Sequence, residues 1–181
     1  IHANDVQPAL FSTEYWKKDD VFISIRNQSA IIHFRPSTNK VINYIKGPFF
    51  QQHDVDIISN EEISIFNNNN RPGLKGQYSN QLIYNLREKK FVKKFERELK
   101  KENLKTITEG GSEILDDGSL ILDESNHGRI LMLDHTGKKV FEYVNKDNSN
   151  NIYHISWIRI IENQDLIDKF KENKFDKKFL N

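Results

Sequence analysis

The chain has 181 residues, enough for one domain with a sizeable core or for several small repeats. Its formal net charge is +1, which supplies no global field to recruit nucleic acid or an anionic membrane. There is no cysteine, so disulfides, thiolate zinc sites and cysteine nucleophiles are all excluded.

Hydrophobic residues make up only 36%, but twelve Phe, six Tyr and two Trp bring that within reach of a folded β protein. No apolar run approaches the ~20 residues needed to span a bilayer. The start, Ile1-His2-Ala3-Asn4-Asp5, resembles neither a signal peptide nor a natural beginning, so an upstream part is expected to be missing.

In chain order, Ile1 to Leu10 reads as a short strand interrupted by Pro8, and Trp16 to Asp20 as a turn. Val21 to Ile25, Ala30 to Phe34 and Val41 to Ile45 are strands, separated by turns at Arg26 to Ser29 and Pro36 to Asn39. Val55 to Ile58 and Ile63 to Phe66 form a hairpin, followed by a strand at Gln81 to Leu86. The stretch Phe91 to Lys100 fits both periods; its place in the repeat assigns strand to the first half. A second hairpin turns at Asp116-Asp117-Gly118, where both turn positions tolerate positive φ. Strands at Arg129 to Leu133, Val140 to Val144 and Tyr153 to Ile161 follow. Leu166, Ile167 and Phe170 then give an amphipathic helix after Asn163.

Four strands per repeat, at a period of ~40 to 60 residues, are the mark of a β-propeller blade. The sequence therefore predicts an all-β propeller with blades at 1–47, 48–103 and 104–150. An inner strand of a further blade at 151–162 and a helical tail at 163–181 complete it. Closed propellers have ~4 to 8 blades, so missing blades or another chain would be needed to close the ring.

Polar residues on the innermost strands, or on loops that converge on the channel at their ends, are the candidates for chemistry. These are His2, His53, Arg71 after the asparagine run Asn67 to Asn70, His127 and His154. Histidines and an arginine without cysteine point to anion binding or to acid-base and nucleophilic work, with no metal ligand set. His33 and His135, in an outer strand and an outer turn, read as structural. The P-loop, Gly-x-Ser-x-Gly and Gly-x-Gly-x-x-Gly signatures are absent.

Several segments, in order, resemble the bacterial-type arylsulfotransferases. They are His2-Ala3-Asn4-Asp5-Val6, Ser24 to Ala30, Gly47 to Asp54, Ile63 to Asn68, Gly118 to Ser125 and Phe141 to Asn145. The resemblance implies the later blades of a six-bladed propeller. Its activity would be transfer of a sulfuryl group from a phenolic sulfate to a phenol through a sulfated histidine, with no nucleotide donor or other cofactor. Carried over by position, His127 is the nucleophile, while His2 and His53 are catalytic histidines that bind sulfate with Arg71. The partners implied are an aryl sulfate and a phenol, with no nucleic acid and no membrane span. The implied location is periplasmic or secreted. The alternative is a propeller that serves as a ligand- or protein-binding module, since fold does not fix function.

Overall fold

The structure is a computed structural model and describes residues 2–161 and 163–172. It contains three four-stranded antiparallel sheets, each ordered by sequence. The first holds β1 (Ala3–Pro8), β2 (Val21–Ile25), β3 (Ala30–Arg35) and β4 (Lys40–Ile45). The second holds β5 (His53–Ile57), β6 (Glu62–Asn67), β7 (Asn80–Asn85) and β8 (Lys90–Lys94). The third holds β9 (Gly111–Ile114), β10 (Leu120–Glu124), β11 (Arg129–Leu133) and β12 (Lys139–Val144). Three successive meanders that pack face to face are propeller blades, and the all-β propeller expectation holds.

The connections explain themselves. After β2, β3 and β10 the chain makes one 3-10 turn and closes it on a left-handed residue, Ser29, Asn39 or Gly128. The N–H of that residue returns to the first carbonyl of the turn. At Gly128 the residue type is forced, because a Cβ would stand 2.1 Å from the carbonyl oxygen of Tyr153.

The middle sheet shows why one strand of the first hairpin is an unbroken apolar run. Ile63 and Ile65 of β6 face the first sheet, joining Phe22, Ile31, Val55 and Leu82. Phe66 faces the third sheet, joining Leu120, Leu122 and Leu131. A strand covered on both faces loses the polar alternation that marks a half-buried one. Trp16, expected in a turn, does leave the strand, but its ring is buried in the first cluster and meets Phe22 edge-on at 5.7 Å.

Phe91 to Lys100 divides between two structures. β8 takes the first half as expected, and α1 (Glu96–Lys101) takes the second, with Leu99 buried against the third sheet. The expected strand over Tyr153 to Ile161 is not formed. Its apolar alternation is real, but a strand exists only by pairing. An isolated bridge, Lys146 to Ile152, precedes it. The Ile155 N–H then donates to the carbonyl of Ser125 in the turn after β10. The segment is an extended strap. Beyond it lies α2 (Gln164–Glu172), whose first turn is capped by Asn163: the side-chain oxygen accepts the Leu166 N–H at 3.0 Å. The rest of the expected tail lies outside the described residues.

Candidate functional site

β1, β5 and β9 are the innermost strands and wall a cleft of about 580 Å³, with residues 156–159 of the strap across it. Neighbouring inner strands are joined by a repeated device. The Asp5 carboxylate accepts the Val55 N–H at 2.8 Å, and the Asp54 carboxylate accepts the Ser112 N–H at 2.6 Å. Asn4 adds a third link, donating to the Gln52 carbonyl at 2.8 Å. Both acceptor positions sit at a bulge in their strands, and Asp54 has a φ of 52°. A bulge re-aims a side chain, here along the strand edge toward the next sheet.

The cleft is acidic. Asp5, Asp56 and Glu113 come one from each inner strand, and the latter two have no ion-pair partner among the described residues. Burial, then repulsion from Asp5 and Glu113, pushes Asp56 up to about 6, while Arg159 of the strap opposes the shift. Burial followed by the charge of Asp56 raises Asp54 well above its ordinary value, and burial raises Asp123 as well. Sequence reasoning singled out histidines and missed these carboxylates. The available signal was the recurrence of Asp or Glu on all three inner strands.

His53 opens β5 and lines the cleft, but both ring nitrogens are engaged. Glu109 donates its N–H to Nε2 at 3.2 Å, which leaves the proton on Nδ1 to be donated to Asn68 Oδ1 at 2.6 Å. Asn68 in turn donates to the carbonyls of Thr106 and Glu109 at 3.1 and 2.7 Å, so its oxygen faces the ring. Burial lowers the His53 pKa and keeps it neutral. His53 thus bridges the second sheet and the loop before β9. In that next repeat Gly110 stands before β9, and a Cβ there would meet the Phe66 ring at 2.6 Å.

His127 lies in the turn after β10, at the same end of the sheets as His53 but outside the cleft lining. Its Nδ1 is 2.9 Å from Glu124 Oε1, and its side chain is 58% exposed. Glu124 is buried; Arg129 Nε donates to it at 2.6 Å and the Lys105 N–H at 2.5 Å. A fixed carboxylate behind an exposed imidazole directs Nδ1–H inward and the Nε2 lone pair outward.

His2 is exposed ahead of β1 and outside the cleft lining. Arg71 is exposed in the β6–β7 loop and outside the cleft lining, its guanidinium 5.7 Å from the Phe50 ring centre. The geometry therefore brings His53 alone of the four to the cleft. His154 pairs with Glu109 at 3.0 Å, beside the backbone that holds His53. His33 is structural as expected: it stacks on Phe22 at 4.6 Å and shares the Asp20 carboxylate with Arg35.

Among the described residues no group of three His, Asp or Glu stands close enough to hold a metal ion. Nor is any described helix long and apolar enough to cross a membrane.

Among solved structures, a protein of unknown function from Bacteroides caccae matches 68% of this chain and 45% of its own, at 12% identity and a TM-score of 0.52. The Kuenenia stuttgartiensis hydrazine synthase matches 76% of this chain and 34% of its own, at 14% identity and a TM-score of 0.48. Apo AztD from Citrobacter koseri matches 73% of this chain and 32% of its own, at 11% identity and a TM-score of 0.43. The chain thus spans less than half the length of these structures, and the first of them supports the fold alone. A search of curated proteins finds no match. The family model described as Arylsulfotransferase (ASST) matches residues 1–146, all three sheets included, and the chain belongs to that family.

Proposed function

We propose that the chain takes part in sulfuryl transfer from a phenolic sulfate to a phenol, with His127 as the nucleophile. The observation that carries this reading is the Glu124–His127 pair at 2.9 Å, with the ring exposed on its other side. The Nε2 lone pair attacks sulfur, the S–O bond to the aryl group breaks, and the phenolate leaves. Glu124 stabilises the imidazolium of the sulfated intermediate. The acceptor phenol then attacks sulfur, the S–N bond breaks, and the proton lost from the acceptor passes to solvent or to the departed phenolate. In this reading His2 and Arg71 supply positive charge to the sulfuryl oxygens. His53 serves by positioning, because its two nitrogens are held by Glu109 and Asn68. Export to the periplasm or the exterior goes with the same reading.

The direct test is transfer from 4-nitrophenyl sulfate to phenol, followed by release of nitrophenolate. His127→Ala should lower turnover roughly 10³-fold or more, the scale seen when a nucleophile is deleted. Arg71→Ala and His2→Ala should raise KM. No turnover by the wild type, or unchanged turnover in His127→Ala, would refute the assignment.

A specific observation favours a second reading, a non-catalytic binding module. The central cleft presents carboxylates where an aryl sulfate anion would meet like charge. Sulfuryl chemistry at His127 is compatible with that charge only because His127 lies outside the cleft.

A further inference from the structure

We propose that the cleft between β1, β5 and β9 binds an organic cation bearing a guanidinium or primary ammonium group. Asp5, Asp56 and Glu113 line it from three different strands, with Asp5 and Glu113 close enough to raise the proton affinity of Asp56, yet the set is too open for a metal ion. A guanidinium with five donors, or an ammonium with three, reaches such spread acceptors where a bare ion does not.

A second observation is independent of charge. Ser112, 8% exposed, lies in the cleft wall with a hydroxyl that has no hydrogen-bond partner. Asn4 of β1, which also lines the cleft, donates an amide hydrogen to the Gln52 carbonyl and leaves a buried Oδ1 unpartnered. Buried acceptors without donors are costly, and a donor-rich ligand head removes that cost. A chemical precedent stands at the cleft mouth. The strap carries Arg159 close enough to lower the proton affinity of Asp56. Its guanidinium stacks on Trp157 at 4.5 Å and makes no ion pair with the carboxylates among the described residues. Arg159 is thus a tethered cation that partly offsets the charge without filling the site, and a free cation would compete with it.

Agmatine is a suitable probe, titrated calorimetrically into the protein at fixed ionic strength. Saturable one-site binding and a rise in melting temperature are expected. Asp56→Asn with Glu113→Gln should weaken binding at least tenfold while retaining the β circular-dichroism spectrum. Ser112→Ala should weaken it several-fold, and Arg159→Ala should tighten it. 4-Nitrophenyl sulfate should not compete, and His127→Ala should bind agmatine as the wild type does, so this site and the sulfuryl-transfer reading fail separately. The proposal is overturned if agmatine does no more than sodium chloride of equal ionic strength. Equal binding by the Asp56→Asn, Glu113→Gln variant would overturn it as well.

Discussion

Asp56 shows how a single carboxyl can act on both stability and recognition. Its folded pKa of about 6 lies above the ordinary value of 3.8. Between those two values the folded chain binds more protons than the unfolded chain, so stability falls as pH rises through that window. The penalty is complete above the folded value and absent below the unfolded one. Asp56→Asn should therefore be more stable than the wild type by about 1–2 kcal/mol at pH 7.5, allowing for partial solvent screening. The advantage should vanish near pH 4. Paired thermal melts at the two pH values read this directly, and a pH-independent difference would refute it. His53 and His33 carry the opposite sign. Burial lowers both, so their contribution to stability is lost as pH falls through the ordinary histidine value. Comparing variant with wild type at each pH removes that background. Neither the Asp56 effect nor the engagement of His53 was legible in the sequence. Both depend on neighbours about 51 to 57 residues away in the chain, Asp5 and Glu113 for Asp56 and Glu109 for His53.

Among the elements, strands and turns were the most legible, because period-two patterning and turn residues are local. The strap at 153–161 was not, because pairing is a property of what lies alongside. Its attachment depends on Gly128, which has φ of 57° and closest approach to the Tyr153 carbonyl. The same turn holds His127 one residue earlier. Gly128→Ala should cost at least ~2 kcal/mol, from left-handed strain plus displacement of the strap. The strap amides should then exchange hydrogen faster than in the wild type, measured by mass spectrometry. Unchanged exchange there would show that the strap is held elsewhere. α1 gives a similar lesson. Phe91 and Phe95 fit a strand face, but Leu99 is drawn into the core between the second and third sheets, and the chain changes period to deliver it.

At the scale of the molecule, the sheets pack through two separate apolar clusters, one between the first and second sheets and one between the second and third. Such an arrangement behaves as a short row of units joined by nearest-neighbour interfaces. Ile63→Ala, in the interface of the first and second sheets, should cost about 2–5 kcal/mol, and Leu120→Ala, in the next interface, a similar amount. Because the two sites share no partner, their costs should add to within about 0.5 kcal/mol in denaturant melts. A large coupling would mean that the three sheets unfold as one indivisible core. The repeat itself was readable from spacing, since each sheet restarts at a similar interval, with entrances at Ala3, His53 and Gly111. The convergence of Asp5, Asp56 and Glu113 was not, because it exists only after the three entrances are stacked around a common axis.

The carboxylate links between inner strands divide the acidic residues into two kinds. Asp5 and Asp54 hold a neighbouring backbone N–H, so any substitution there also loosens the joint between sheets. Asp56 and Glu113 have no such duty and can be exchanged with little cost to the framework. The axis therefore keeps a floor of carboxyl groups fixed by architecture, above which a second layer is free to be tuned. Relatives built on the same frame could retune what the centre admits by changing that second layer alone, leaving the seams between their blades untouched.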